Sequence, residues 1–288
     1  MADSSDDQPQ VPLKNEDFQV PRTDEQPEAL PAVKQSKPPP TIEQQIRRRS
    51  FISFSVFIGI NIAAFGGWKW LRNSSKEVKG ITAGAQKPLR KALNKTELAF
   101  RKLFSHNHLV KTYPKSRAAR NVRKNGDIGL KSSLDSTKWQ LQVRKDSGES
   151  LNISLDELKS LPKTELIFDF KCVEGWDQVQ HWGGVTFVDF ISHYNLQKEA
   201  GMQYVGLETP DNKYYVGLDM DSALHPQTIL AYEMNDQPLT SIHGAPLRLI
   251  IPVKYGIKNL KRIGSILFSN TRPPDYWAEQ GYDYYSGL

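Results

Sequence analysis

Between Phe51 and Trp68 the chain runs for 18 residues without a charged side chain, and Arg47, Arg48 and Arg49 stand just before the run. Soluble helices are seldom apolar on every face, so this stretch reads as a membrane-spanning helix, with a buried core helix as the alternative. It lies at the short end of what crosses a bilayer, and Asn61 with several Ser and Gly weakens it. Trp68 and Trp70 suit an interfacial belt. Positive charge does not choose an orientation, because Lys69, Arg72, Lys76 and Lys79 follow the run.

Charge divides the rest of the N-terminal third. Residues 1–40 hold eight acids and four bases, together with Lys37-Pro38-Pro39-Pro40. Such a segment buries too little apolar surface to offset its chain entropy, so residues 1–46 are expected to form a disordered tail. Residues 47–71 are the anchor. Arg48-Arg49-Ser50-Phe51-Ile52 resembles the twin-arginine export signal, which carries folded proteins outward. It points to the cell membrane, with the remainder of the chain periplasmic. No small-residue cleavage site directly follows the apolar run, and Ala83-Gly84-Ala85 lies rather far downstream, so the anchor is expected to stay uncleaved. Residues 69–124 hold sixteen bases against Glu77 and Glu97. Nucleic acid, anionic lipid headgroups or an acidic redox partner would each suit that stretch. Residues 72–103 read as a basic, partly helical neck, and residues 104–288 as one compact domain.

In that domain Trp139, Leu141 and Val143 alternate as in a half-buried strand. Ser154 with Glu157 forms a capping-box pattern that starts a short helix. Leu166, Phe168, Phe170 and Cys172 alternate with Ile167, Asp169 and Lys171, a strand pattern with those four on one face. Thr186 with Asp189 suggests another helix start, and Phe187, Phe190, Ile191 and Tyr194 supply its apolar stripe. Short strands are expected around 205–208, 214–218, 228–233, 247–251 and 263–269. Many strands with few short helices indicate an α+β domain with mixed sheets.

Cys172 is the only cysteine, which excludes an intramolecular disulfide framework and four-cysteine metal sites held by this chain alone. Alone, such a residue is a small buried hydrophobe by default. Here it sits on an inward face where a strand turns into the loop Val173-Glu174-Gly175-Trp176, well placed to meet something held in a cleft. A soft thiolate suits a soft or high-valent metal. Downstream, His243-Gly244-Ala245-Pro246-Leu247-Arg248 and then Lys254 to Lys261 gather cations and a glycine-bearing loop around one strand end. Guanidinium and backbone N–H groups there could clamp a phosphate; a solvated basic loop is the plainer alternative.

Lys171-Cys172-Val173-Glu174-Gly175-Trp176, the segment His243 to Lys261, Ala231-Tyr232-Glu233-Met234-Asn235 and the ending Thr271-Arg272-Pro273-Pro274-Asp275-Tyr276-Trp277 occur in one order. Together they resemble the oxidoreductase molybdopterin-binding, or sulfite oxidase-like, family over about residues 104–280. The resemblance implies a sulfite oxidase-type fold and a molybdenum–molybdopterin cofactor. It implies that Cys172 is the catalytic metal ligand and that Asn107, Thr209, His243 and Arg248 contact the molybdopterin. Asn259, Leu260 and Lys261 would hold its phosphate end. Cys-Val-Glu-Gly-Trp resembles the protein-methionine-sulfoxide reductase branch, whereas Ala-Tyr-Glu-Met-Asn and His243 are more similar to sulfite oxidases. The arginines that sulfite oxidases carry after the cysteine are absent, and the chain ends too early for their additional C-terminal domain.

The implied reaction is oxygen-atom transfer at sulfur, with the cofactor carrying the redox chemistry. The expected substrate is a small or protein-bound S-oxide such as methionine sulfoxide. The expected partners are the membrane and a haem b membrane subunit as electron donor, with no nucleic acid. A sulfite oxidase-like oxidation and a non-catalytic membrane-tethered binding module are the alternatives.

Overall fold

The computed structural model describes residues 39–77, 84–103, 108–135 and 137–288. The chain divides into two units, residues 1–60 and residues 61–288. Helix α1, Ile42–Asn73, has 32 residues, none of them buried, and is long and apolar enough to cross a membrane. It begins five residues ahead of Arg47. The reason is local: the Thr41 hydroxyl accepts from the Gln44 N–H at 3.3 Å, and the Gln44 side chain accepts from the Thr41 N–H at 3.1 Å. This reciprocal cap follows Pro40 and starts the helix in polar sequence, where the apolar run gives no sign of it.

In the second unit, helix α2, Lys87–Leu103, has a charged inner seam. Arg90 and Glu97 are buried, and Arg101 is mostly so. Glu97 pairs with Arg272, while Arg101 donates to Asp221 at 2.9 Å and lies 3.7 Å from Asp219. The basic neck therefore ends as a helix ion-paired to the rest of its unit.

Among the described residues, ten strands form two five-stranded sheets. The first, in the order β2-β1-β10-β5-β6, uses β1 (Gln140–Arg144), β2 (Ser150–Ser154), β5 (Tyr204–Glu208), β6 (Tyr215–Asp219) and β10 (Ser265–Ser269). Its one parallel pair is β1 with β10; the rest are antiparallel. The second sheet runs β3 (Thr164–Lys171), β4 (Asp177–Thr186), β7 (Ile229–Met234) and β8 (Gln237–Pro238), with β9 (Arg248–Ile250) also paired to β7. Short helices α3 (Leu155–Lys159), α4 (Phe187–His193), α5 (Gln197–Ala200), α6 (Met220–Ala223) and α7 (Tyr276–Glu279) connect or flank the strands. This is the mixed-sheet α+β architecture read from the alternation.

The expected caps are present. Ser154 makes both bonds of a capping box with Glu157, and the Thr186 hydroxyl accepts from the Asp189 N–H. Leu141, Val143, Phe187, Phe190 and Ile191 enter the larger core, while Leu166, Phe168 and Phe170 enter a smaller one with Trp182 and Ile250. Cys172 continues that buried row at the end of β3.

Candidate cofactor site

Cys172 stands at the first position of the β3–β4 hairpin turn. Its carbonyl accepts from the Gly175 N–H at 3.1 Å, and its own N–H donates to the Trp176 carbonyl at 2.9 Å. The second bond closes the turn because Gly175 adopts φ +83°, a left-handed conformation that a side chain disfavours. Trp176 then folds back: its ring stacks 6.1 Å from that of Phe170, and its indole N–H donates to Glu174 at 2.9 Å. A tight glycine-closed turn thus holds the thiol at the strand end.

The thiol is buried, and burial pushes its pKa up, against the pull of the Glu174 and Val173 N–H groups. The ligand-free residue is therefore a neutral thiol. A soft cation bound there would displace its proton, as thiolate ligation requires.

Cys172 lines a cavity of about 120 Å³ together with Asn259 and Lys261. The expected residues do not all reach it in the same way. Lys261 lines the cavity, while the cation Arg248 and the imidazole His243 stand behind it. The Arg248 guanidinium is buried, donates to the carbonyls of His243 and Asn259 at 3.0 and 3.3 Å, and lies 4.5 Å from the Trp182 ring centre. It ties the His243 loop to the Asn259 loop. The Asn259 side chain accepts from the Ile251 N–H and donates to the Tyr255 carbonyl, and Leu260 is a core residue. The Thr209 hydroxyl donates to Asp211 at 2.7 Å and does not line the cavity. Asn107 lies outside the described residues.

Lys254 and Lys258 are not solvated loop cations. Both are buried, Lys254 paired with Asp219 at 2.8 Å and Lys258 with Asp275 at 2.5 Å. They fasten the loop instead of facing a ligand.

Lys261 and Arg248 have no such carboxylate partner among the described residues. The Lys261 ammonium donates to the carbonyls of Asn125, Gly126 and Ile242. Burial, then Arg248, holds its pKa down to about 7; Lys124 adds to the effect and Asp127 partly offsets it. Burial alone brings Arg248 down to about 9, and burial followed by Arg248 and Lys261 brings His243 down to about 4. The Arg248 Nε is buried without a hydrogen-bond partner. Two buried cations, one lowering the pKa of the other, with a donor left unused, make a site short of negative charge. An anionic group such as a pterin phosphate fits it.

Several lining residues escaped the sequence reading. Tyr214 donates to the Ile257 carbonyl at 2.5 Å and lines the cavity, as do Asn125, Gly126 and Tyr282. Asn125-Gly126 is a turn dipeptide, but nothing in the sequence joins it to Lys261, 136 residues away. A separate cluster, Glu165, His181 and Asp236, brings ligating atoms within 4.8 Å of one another. The Lys115 ammonium lies 3.0 Å from both of its carboxylates and already serves them as cation.

These elements are those of a cofactor-binding redox domain, and residues 128–277 match the oxidoreductase molybdopterin-binding domain family. The chain belongs to that family; it is a molybdopterin-binding oxidoreductase. It is 35% identical over 188 residues, 64% of this chain and 70% of the other, to the putative protein-methionine-sulfoxide reductase subunit YedZ1 of Azospira oryzae. It is 30% identical over 178 residues, 56% of this chain and 60% of the other, to the protein-methionine-sulfoxide reductase catalytic subunit MsrP of Campylobacter jejuni. The chain spans between half and seven tenths of the length of such curated relatives. The crystal structure of the sulfane dehydrogenase SoxCD from Paracoccus pantotrophus superposes with a TM-score of 0.44 at 16% identity, over 49% of this chain and 40% of that one.

Proposed function

We propose that the chain is a membrane-anchored molybdenum–molybdopterin oxidoreductase that reduces an S-oxide such as methionine sulfoxide. The observation that carries this reading is the buried Cys172 thiol on a glycine-closed turn, at a cavity backed by unneutralised cations. The names of the relatives at 30–35% identity support the choice of substrate. When bound, the group supplies two-electron oxygen-atom transfer. The chain's own residues supply the rest. Cys172 is the thiolate ligand. Lys261 and Arg248 provide positive charge for the phosphate end, and Arg248 fixes the spacing of the His243 and Asn259 loops. His243 stays neutral at pH 7 and is available as a hydrogen-bonding group. Thr209, Asn259 and Leu260 shape the backbone on which these groups stand, and Asn107 is the molybdopterin contact that the family resemblance implies.

Residues 47–71 anchor the chain after export by the twin-arginine route, residues 72–103 are the neck, and residues 104–288 act on the periplasmic side. A haem b membrane subunit delivers the electrons. The test is metal and activity analysis of full-length protein from a host that makes the cofactor. Molybdenum co-purifies, a reduced dye drives methionine sulfoxide reduction, and Cys172→Ala loses both. Protein that carries no molybdenum and is unaffected by Cys172→Ser would defeat the reading.

One observation favours a second reading, oxidation of a small sulfur oxyanion. Arg123 comes from another segment to lie 4.7 Å from the Trp176 ring centre, and its charge favours the Cys172 thiolate. It offers a cation where no arginine follows the cysteine in sequence. Running the same dye assay oxidatively with sulfite separates the two.

A further inference from the structure

The cavity at Cys172 has a neighbour. Val173 and Tyr282 line the cavity, and both also line a second groove of about 440 Å³. Leu93 and Phe100 of α2 form one wall of this groove, and Tyr285 and Leu288 of the C-terminal segment form the other. Both walls lie outside residues 128–277, the part that matches the family.

Helix α2 is oriented against the usual rule. An amphipathic helix normally buries its apolar stripe, yet here the charged seam of Arg90, Glu97 and Arg101 faces inward. Leu89, Leu93 and Phe100 remain 44%, 47% and 42% exposed. The acids at the groove are already neutralised: Glu97 pairs with Arg272, and Asp283 lies 3.7 Å from Arg90. The groove thus presents an apolar surface held on a rigid ion-paired frame, and it opens beside the residue that follows the thiol.

The geometry points to this groove as a specificity subsite, in which Leu93 and Phe100 select apolar residues flanking an oxidised methionine in a polypeptide. The inference rests on the S-oxide reductase reading. A peptide advances about 3.3 Å per residue, so positions two or three from the reacting sulfur reach about 7–10 Å away, a distance an adjoining groove can serve. Large apolar surface next to a reaction centre matches such neighbours and offers nothing to charged ones.

The experiment uses full-length holoenzyme in detergent with a reduced dye as donor. It measures kcat/KM for free methionine sulfoxide, for a peptide with Leu and Val beside the sulfoxide, and for the same peptide with Asp in those places. The apolar peptide is expected to be the best substrate. In the Leu93→Glu/Phe100→Glu double variant the ratio of its kcat/KM to that of the free sulfoxide falls at least tenfold, mainly through KM. The conservative Leu93→Met/Phe100→Leu pair keeps the ratio. An unchanged ratio in the Glu variant overturns the assignment. So does a loss seen only when a membrane electron donor replaces the dye, which would make the groove that donor's docking face. If the wild type reduces neither sulfoxide, the reductase reading itself falls and the subsite falls with it.

Discussion

Lys261 would set the pH behaviour of the proposed anion site. Its pKa is held near 7 instead of 10.5, chiefly by burial and then by Arg248. A cation with a lowered folded-state pKa contributes stability at alkaline pH and loses it as pH falls toward the folded value. The ligand-free protein near pH 7 thus carries a costly half-protonated lysine, and a bound anion restores the proton. Inorganic pyrophosphate binding to the apoprotein should therefore take up protons at pH 8, and its affinity should weaken by up to about tenfold per unit above pH 7. Calorimetry in buffers of different ionisation heat reads the proton uptake; none at pH 8 counts against Lys261 as the charge that meets the anion. In Lys261→Met the pH dependence should flatten. Cys172 was legible as an inward-facing residue because strand alternation has a period of two. The use of Lys254 and Lys258 as buried ion-pair partners was not legible, since their acids, Asp219 and Asp275, lie 35 and 17 residues away in either direction.

At the scale of elements, most strands, and both Ser154 and Thr186 caps, follow from side-chain period and local hydrogen bonding, which sequence displays directly. The α2 packing does not: the stretch reads only as a basic, partly helical neck, and the distant Arg272 and Asp221 explain why a charged seam faces inward. Removing one partner tests this. Arg272→Met leaves Glu97 buried without its cation and should cost about 3–5 kcal/mol, read by urea unfolding of the detergent-solubilised chain. A cost below about 1 kcal/mol would mean the pair is effectively solvent-exposed. A second element-level test concerns β4, whose register against β7 shifts between Gly183 and Gly184. A Cβ on Gly184 would run into the Leu230 carbonyl. Gly184→Ala should therefore destabilise the second sheet by about 1–3 kcal/mol, whereas Gly148→Ala, at an open turn with positive φ, probes backbone strain alone.

For the molecule as a whole, the sequence separates a charged tail, an apolar helix and a folded domain by composition alone, because bilayer and water demand opposite surfaces. The helix start at Ile42 escaped that logic, being set by the Thr41–Gln44 cap in polar sequence. Replacing Arg48 and Arg49 by Lys preserves charge and helix propensity, so it isolates export from anchoring. The Lys pair should strand the protein inside the cell, with protease protection in spheroplasts as the readout; unchanged export would remove the twin-arginine inference. The single cysteine at the turn has a practical consequence. Since the chain has only one sulfhydryl, any alkylation by a small maleimide adds one mass increment at one place. If Cys172 holds the proposed molybdenum, intact-mass spectrometry after a mildly alkaline exposure long enough to reach the buried thiol would count the molecules that lack the cofactor.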